Sequence, residues 1–570
     1  MSDRRTVGAD DPRGWLLLAL SIAALALLAS ATGLGNGFAY DDRFIILENK
    51  RAHSLSAPWR LFGETYWPNI RGAALYRPLT ILLYAAEWVA GGGSPLVYHV
   101  VNVGLYAVVA VLVLWLALQL LPRGAAWVGA ALFAVHPVHV EAVANVVGQA
   151  ELWTALAMVG AVGLYLRDRR EGNPLPRQSA WIIATLYFAG MLVKENMIVL
   201  PALLVAAEFL LVHDDAPWRG RADRLFTLLA WMGMFAALFL WLRFSILGDI
   251  GGDVSHPSLR DLGVVSRSLL MLGLAPEVGR LLLWPSRLFA DYSPRQVPTW
   301  TELQVGHLSG ALLVFCLVIL FAVSIRRAPI VAFGLAWFAI AYAPVSNVLI
   351  PTGILIAERT LLVPSVGVVL AAAFATPWVF DRLRGRPNVW RILAAGAFAA
   401  VLTLGIAESA ERQFVWKDSD AVFRSLASDA PYNFKAHYAY GGQLFEQHRP
   451  VEGEREWRYA IALFPEYYGV YVDLAHKYRE AHVCQAAIPN YQKALAIEPA
   501  LPLARVGLVA CRLELAQYRK ARAESRYAIA DGFYRRAFEF MIDRADSALV
   551  ANDSLDGTIR WKARSKIAKP

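Results

Sequence analysis

The feature that most constrains this chain is a change in solvent preference near residue 410. Before that point, long apolar runs alternate with short polar loops, and after it the sequence is typical of soluble helices. In this second part Pro431, Pro465 and Pro499 recur every 34 residues, which is the period of the tetratricopeptide repeat. We therefore predict an all-α chain: a polytopic membrane bundle over 1–412, a linker helix over 413–433 and a short helical solenoid.

The apolar part predicts about eleven membrane spans, because a helix needs about 20 apolar residues to cross the hydrocarbon core of a bilayer. Two weaker segments, 77–90 and 264–285, are predicted to lie at the interface or to dip into the membrane. The predicted spans are 14–33, 96–121, 126–147, 151–167, 179–193, 195–212, 224–247, 306–325, 329–349, 360–380 and 389–410.

The charge pattern predicts the orientation of these spans. The formal net charge is +9, which we attribute to arginine-rich cytoplasmic loops rather than to nucleic-acid binding. With Arg4 and Arg5 on the cytoplasmic side, eleven spans put the loops that contain Arg167, Arg219 and Arg326 on that side too. The same count predicts that the repeat tail lies outside, together with the loops 34–95, 248–305 and 350–359.

The tail is predicted to contain stacked pairs of helices. Small residues such as Ala460 and Ala487 let paired helices approach closely, and aromatic residues fill the space between them. A stack of repeats presents a concave surface to peptides, although the tail can also be a purely structural cap. The predicted segments of 434–550 are 434–467, 468–501 and a degenerate 502–535, followed by a polar, frayed tail over 551–570.

The three cysteines show no metal-binding spacing and no disulfide framework. Cys316 lies in an apolar run, where we expect it to be inert. Cys484 and Cys511 are not expected to pair.

Ionisable residues gather at the predicted outer face, where charge near bilayer depth is costly unless it binds or reacts. Asp41 and Asp42 follow the first span, either as reactive carboxylates or as part of a solvated loop. His136, His139 and Glu141 form a possible metal site, but a packed, hydrogen-bonded pair of histidines is the favoured interpretation. The remaining residues of this kind are Arg77, Lys194, Glu195, Asp291, Glu358 and Arg359.

Sugar transfer from a lipid phosphate is a reaction that suits carboxylates and cations at this face. No nucleotide sugar is expected outside the cell, so the donor would be a polyprenyl-phosphate sugar, whose phosphate is already a good leaving group. Arginine and lysine would stabilise the charge that develops on the phosphate. A carboxylate in the first outer loop would accept the proton of the acceptor hydroxyl.

Several stretches resemble the transmembrane and tetratricopeptide-repeat protein O-mannosyltransferases (the TMTC family). The resemblance covers nearly the whole chain, in order, and the combination with a repeat tail is specific. The stretches that carry it are Phe38–Asp42, Tyr76–Thr80, Tyr98–Val103, Phe133–Val143, Lys194–Glu195, Leu288–Ser293 and Ala357–Gly367.

The resemblance implies a GT-C fold with its site on the non-cytosolic face and an acidic pair in the first outer loop. Asp41 and Asp42 match that pair, with one of them as the base. Glu358 and Arg359 match a family motif, and we assign Arg359 to the donor phosphate. The second candidates for the phosphate are Lys194 and Arg77, and the residues expected to shape the site are His136, His139, Glu141, Glu195, Glu358 and Asp291.

The abundant Ala, Arg and Trp and the compact loops predict a bacterial chain in the inner membrane with periplasmic repeats. We expect an inverting transferase that moves a hexose, with mannose as the first choice, to Ser/Thr of exported polypeptides. We predict no particular bound cofactor, and the sequence leaves open whether a divalent metal is required. The alternatives are a GT-C enzyme with a lipid or glycan acceptor, and a non-catalytic scaffold for envelope assembly.

Overall fold

The computed structural model describes residues 12–68, 75–169, 172–214, 217–248, 256–259, 262–530 and 535–567. Arg4 and Arg5, which entered the orientation argument, lie outside the described residues. The chain divides into two compact units, Met1–Ala430 and Pro431–Pro570. Helices account for all the regular elements in the described ranges, so the predicted all-α class is confirmed.

The first unit is a helical bundle whose core is built around α3 and α6, with their buried Val, Leu and Ala side chains. Its helices are α1 Pro12–Ser30, α2 Pro78–Gly91, α3 Pro95–Leu120, α4 Arg123–Ala134, α5 Val140–Ala144, α6 Gln149–Asp168, α7 Arg177–Val193, α8 Leu200–Leu211, α9 Trp218–Leu247, α10 Val264–Leu283, α11 His307–Arg327, α12 Pro329–Tyr342, α13 Leu362–Ala373, α14 Thr376–Arg384, α15 Asn388–Gln413 and α16 Ser419–Asp429.

Seven helical stretches of the described chain are long and apolar enough to cross a membrane, which makes this an integral membrane protein. The bent pair of α4 and α5 would add an eighth. Three predicted spans correspond instead to shorter helices: α7 with 17 residues, α8 with 12 and α12 with 14. The count of eleven is therefore not confirmed, and the orientation that rests on it stays a prediction.

The helix predicted over 126–147 is broken, so His136 and His139 do not share the face of one continuous helix. Pro137 has no amide hydrogen to continue the hydrogen-bonding ladder. Accordingly α4 ends at Ala134, a short 3₁₀ turn covers Pro137–His139, and α5 begins at Val140 after a bend of 49°.

The backbones of α12 and α13 touch, and this contact positions the turn Glu358–Leu361 that precedes α13. A side chain on Gly334 would collide with the carbonyl oxygen of Gly367, and one on Gly367 with that of Gly334. Glycine is needed at both positions because no Cβ fits between the two helices.

The loop after α1 folds onto the end of α15. The Asn36 side-chain amide donates to the carbonyl of Gln413 at 2.8 Å, and the Gly37 amide donates to that of Lys417 at 2.8 Å. The loop itself is a series of short helical turns, Arg43–Leu47, Lys50–His53 and Pro58–Gly63. The acidic pair is thereby held beside the last apolar helix of the unit.

The second unit consists of helical hairpins whose first helices begin at Phe434, Tyr468 and Pro502, 34 residues apart as the repeat prediction requires. The last helix continues through Ile567, so residues 551–567 of the segment that was expected to be a frayed tail are helical, and 568–570 lie outside the described residues. The helices are α17 Phe434–Glu446, α18 Pro450–Leu463, α19 Tyr468–Glu480, α20 Cys484–Ile497, α21 Pro502–Glu514, α22 Tyr518–Ala530 and α23 Arg535–Ile567.

The third hairpin keeps the register of the others, although its sequence pattern looks degenerate. The positions equivalent to the buried Ala487, Tyr491 and Ala494 are the buried Ala521, Ser525 and Ala528. Ser525 therefore occupies the position of the aromatic Tyr491, which is why the third repeat looks degenerate in the sequence.

The expectation that Cys484 and Cys511 do not pair is wrong. Both are fully buried, their Cα atoms are 5.1 Å apart, and their sulfurs form a disulfide. Cys484 opens α20 and Cys511 lies on α21, so the bond joins two successive hairpins. The stacking of neighbouring repeats, which a linear pattern does not display, brings the two thiols together.

We expect Cys484→Ser to lower the free energy of unfolding of the repeat unit by about 3–4 kcal/mol, because it releases a loop of 27 residues in the unfolded chain. Urea unfolding of the purified protein, read by proteolysis of the tail, measures this. Cys316→Ser, which removes the exposed free cysteine, is the control. Equal stabilities of the two variants would contradict the structural role of the disulfide.

Candidate functional site

A strained turn presents the acidic pair. Tyr40 adopts the left-handed region with φ of 56°, which is uncommon for a residue with a side chain. The turn is closed by the Asp42 amide, which donates to the carbonyl of Ala39 at 3.1 Å. The Tyr40 ring contacts Trp416 and Phe423 edge-on, with ring centroids at 6.3 and 5.6 Å. Packing against the end of α15 and against α16 therefore holds this turn.

Asp42 is fully buried and its carboxylate is occupied. It accepts hydrogen bonds from the backbone amides of Ala39 at 3.0 Å, Val146 at 3.3 Å and Val147 at 2.9 Å. Burial raises the pKa of Asp42 to about 7, and the three amide donors oppose that rise. These contacts fasten the first loop to the segment before α6, so Asp42 has a structural task.

Asp41 is half-buried and lies in a shared electrostatic neighbourhood with other candidate residues. The pKa of the Tyr40 hydroxyl is raised well above its usual value, chiefly by burial and then by the charges of Asp41 and Asp291, while Arg359 opposes the rise. The structure therefore brings Asp41, Asp291 and Arg359 together, although they are far apart in the sequence.

Arg359 is held by Glu141. The Arg359 amide donates to Glu141 Oε2 at 2.9 Å, and its guanidinium forms an ion pair with Oε1 of the same carboxylate. Glu141 is fully buried on α5, just beyond the break at Pro137, whereas the Arg359 side chain keeps 19% of its surface exposed. The charges of Asp41 and Glu151 also act on Arg359. One face of a positioned guanidinium is thus left accessible.

Lys194 and Arg77, the second candidates for phosphate binding, are likewise paired with carboxylates. Lys194 forms a buried ion pair with Glu151 at the start of α6. Arg77 forms a two-pronged pair with Glu195, at 2.9 and 2.6 Å, and its guanidinium lies 5.1 Å from the centre of the Tyr66 ring. Each cation is thus bound to a carboxylate from another part of the chain.

Glu358, the neighbour of Arg359, is enclosed by the segment Leu288–Ser293. Its Oε1 accepts the amide of Phe289 at 2.5 Å and the hydroxyl of Tyr292 at 2.7 Å. Asp291 in the same segment accepts a hydrogen bond from the Ser293 hydroxyl. The loop after α10 and the turn before α13 are therefore joined at the site.

The two histidines are packed and hydrogen-bonded. His136 donates from Nε2 to the carbonyl of Leu282 at 2.9 Å and accepts the Val138 amide at Nδ1. His139 bonds the carbonyl of Phe133 through Nδ1 and the hydroxyl of Ser365 through Nε2. Among the described residues, no group of three or more His, Cys, Asp or Glu side chains is arranged to hold a metal ion.

Sequence reasoning missed Glu151 and Arg412. Glu151 opens an apolar helix and is buried as the partner of Lys194. Arg412 lies near the end of α15, is only 8% exposed, and its charge acts on Glu358. The rule that intramembrane charge marks function would have found Glu151. Arg412 lies among the polar residues at the C-terminal end of the last apolar segment, so its sequence context does not mark it as an intramembrane charge.

No protein-family model matches the chain. The curated homologues are protein O-mannosyl-transferases, which confirms the resemblance inferred from the sequence motifs. Human TMTC4 is 26% identical over 75% of this chain and 64% of its own length, and human TMTC3 is 25% identical over 89% and 58%. Drosophila melanogaster Tmtc3 is 23% identical over 97% of this chain and 67% of its own. The chain thus spans about three fifths of the length of the two human relatives.

Two solved structures of the oligosaccharyltransferase from the archaeon Archaeoglobus fulgidus are also similar. One, AglB in complex with an inhibitory peptide and a dolichol-phosphate, has a TM-score of 0.37 at 13% identity, over 79% of this chain and 60% of that one. The apo form has a TM-score of 0.38 at 14% identity, over 88% and 73%. Likenesses of this size carry no argument about the site.

We expect Asp42→Asn to reduce the free energy of unfolding by about 1–3 kcal/mol, because an amide group cannot replace every acceptor that three backbone amides use. The loss should be larger at pH 5 than at pH 8. A carboxyl whose folded pKa is raised to about 7 stabilises the fold when protonated, and this contribution disappears as the pH rises through that value. Thermal unfolding of both proteins across this range measures it. A loss that grows with pH would contradict the raised pKa.

Proposed function

We propose that this chain is a membrane glycosyltransferase that moves a hexose, with mannose as the first choice, from a polyprenyl-phosphate donor to Ser/Thr hydroxyls of exported polypeptides. The observation that carries the proposal is the shared neighbourhood of Asp41 and Arg359, a carboxylate and a cation from the stretches 38–42 and 357–367. The names of the curated relatives, protein O-mannosyl-transferases, support the reaction class.

In the proposed reaction, the acceptor oxygen forms a bond to the anomeric carbon while the bond from that carbon to the phosphate oxygen breaks. Asp41 takes the proton of the acceptor hydroxyl, as a general base. The freed lipid phosphate carries the developing negative charge, and Arg359 stabilises it. Attack from the face opposite the leaving group inverts the anomeric configuration.

Between the two acidic residues, the geometry favours Asp41 as the base. Both carboxylate oxygens of Asp42 already accept hydrogen bonds from backbone amides, so they are not available to an acceptor hydroxyl. Asp41 is half-buried, and its charge acts on the guanidinium that would hold the donor.

The contact with Glu141 gives Arg359 a fixed orientation before a donor binds. A positioned guanidinium loses less side-chain entropy on binding a phosphate and presents its remaining donors in a fixed plane. Lys194 and Arg77 add positive charge nearby, and their pairing with Glu151 and Glu195 would tune that charge. The assay below, run with and without a chelator, tests whether a divalent metal is required.

Asp41→Asn should lower the rate of sugar transfer by a factor of roughly 10² to 10⁴, because the amide cannot accept the proton. The assay uses undecaprenyl-phosphate-mannose with labelled sugar, a Ser/Thr peptide and the purified full-length protein, with and without a chelator. Glu48→Gln, which alters an exposed carboxylate of the same loop that pairs with Arg43, is the control and should retain activity.

Full activity of Asp41→Asn would remove the base assignment. Transfer only to lipid or glycan acceptors would favour the alternative GT-C activity. No transfer by wild-type protein from any polyprenyl-phosphate sugar would favour the non-catalytic scaffold.

We further propose that the repeat unit lies on the non-cytosolic side, where it would present the polypeptide acceptor. The disulfide between Cys484 and Cys511 supports this placement, because such bonds persist in oxidising compartments and are rare in the cytosol. A bacterial inner membrane with periplasmic repeats remains the proposed location. The curated relatives named above are animal proteins, and they do not bear on the source of this chain.

When cells are lysed directly in denaturant, which exposes these buried residues, a thiol-reactive polymer should fail to modify Cys484 and Cys511 before reduction and should modify both after reduction. The gel shift of the full-length protein measures this. In a Cys316→Ser background, Cys484→Ser leaves Cys511 as the single thiol and provides the positive control. Free thiols at both positions in unreduced cells would place the tail in a reducing compartment and contradict the proposal.

A further inference from the structure

Arg412 is a buried cation, and two of its three guanidinium nitrogens have no hydrogen-bond partner among the described residues. It is 8% exposed, and its Nε and Nη2 atoms have no hydrogen-bond partner within the described part of the chain. A buried guanidinium donor without a partner costs free energy, on the order of 1–3 kcal/mol. Such a group is therefore a candidate for binding something that brings acceptors.

A carboxylate on which the charge of Arg412 acts is also unsatisfied, at one of its two oxygens. Glu358 is fully buried, and both of its hydrogen bonds, from Phe289 and Tyr292, reach Oε1. Its Oε2 has no partner among the residues that the structure describes. The charge of Arg412 acts on Glu358, yet no hydrogen bond joins the two side chains.

The positions of both groups are set by neighbouring contacts. Near Arg412, the Ser409 hydroxyl donates to the carbonyl of Val135 at 3.1 Å, and the Thr32 hydroxyl donates to that of Ala410 at 2.9 Å. Gly405 allows α15 to approach Val135 closely. Because contacts on two sides hold this end of α15, the backbone position of Arg412 is fixed by packing.

We propose that Arg412 and Oε2 of Glu358 form a subsite for hydroxyl groups of the transferred sugar, an inference that rests on the function proposed above. A hydroxyl both donates and accepts, so neighbouring hydroxyls can donate to the carboxylate oxygen and accept from the guanidinium at the same time. An anion such as phosphate is disfavoured at this place because the adjacent carboxylate repels it. The subsite would lie next to Arg359 in the chain and would separate sugar recognition from phosphate recognition.

Binding of two lipids by the full-length protein in nanodiscs separates these roles. The probes are undecaprenyl phosphate and undecaprenyl-phosphate-mannose, with Kd measured for each. Wild-type protein should bind the mannosyl lipid roughly tenfold or more tightly than the bare lipid phosphate, as expected for hydrogen bonds to charged groups. In Arg412→Gln and in Glu358→Gln this ratio should fall towards one while the Kd of the bare lipid stays unchanged.

Two control variants are expected to keep the ratio of the two Kd values, and they differ in their effect on the Kd values themselves. Arg359→Ala should weaken both lipids equally and keep the ratio, since it removes a phosphate contact. Arg391→Gln changes an exposed arginine of the same helix and should leave both Kd values as in wild type. The ratio of the two Kd values does not depend on the fraction of protein that is folded, because that fraction scales both values equally, so a partly destabilised variant still reports on the subsite.

An unchanged ratio in both subsite variants overturns the inference, and so does an equal loss of both lipids, which would assign Arg412 to the phosphate. A wild-type protein that binds both lipids with the expected ratio but transfers no sugar overturns the proposed function and supports the subsite. A wild-type protein that binds neither lipid overturns both.

Discussion

The pairing of three candidate cations with carboxylates from other parts of the chain is the interaction on which the candidate site depends. Arg359 pairs with Glu141, Lys194 with Glu151, and Arg77 with Glu195. A buried ion pair contributes little net stability, but breaking one costs about 3–5 kcal/mol because a charge is left without its partner. The main effect of the ion pairs is therefore to fix the positions of the turns that carry the charged residues.

Breaks in the helices make these pairs possible. Pro137 ends one helical run so that Glu141 begins a new one, the chain turns at Lys194 and Glu195 between α7 and α8, and a short 3₁₀ turn carries Glu358 and Arg359 into α13. A continuous helix would spread such residues around its circumference. The same breaks shorten several helices, which is why fewer of them are long enough to span a membrane than the apolar runs suggested. The acidic turn at Asp41 completes this arrangement from a loop that is tied to α15.

Much of this organisation could be predicted from the chain alone. The apolar runs and the 34-residue spacing of prolines predicted a helical membrane unit followed by hairpins, and charged residues in the apolar part indicated where the candidate site lies. The pairing of Cys484 with Cys511, the register of Ser525 and the burial of Asp42 could not be predicted in this way. Each depends on which segments become neighbours, and a pattern of residue types along the chain carries no such distances. Arg412 was missed for the same reason, because only the fold puts it near Glu358.

The sequence by itself determined the helical class, the boundary between the membrane part and the repeats, and the residue types available for chemistry, because hydrophobic burial and helical periodicity act locally along the chain. Only the tertiary structure decided which carboxylate holds which cation, that Asp42 supports the loop while Asp41 lies beside Arg359, and which polar atoms are left without a partner. The physical reason is that charge pairing in a low-dielectric interior depends on separations of a few ångströms between residues up to 218 positions apart, as in the pair of Arg359 and Glu141.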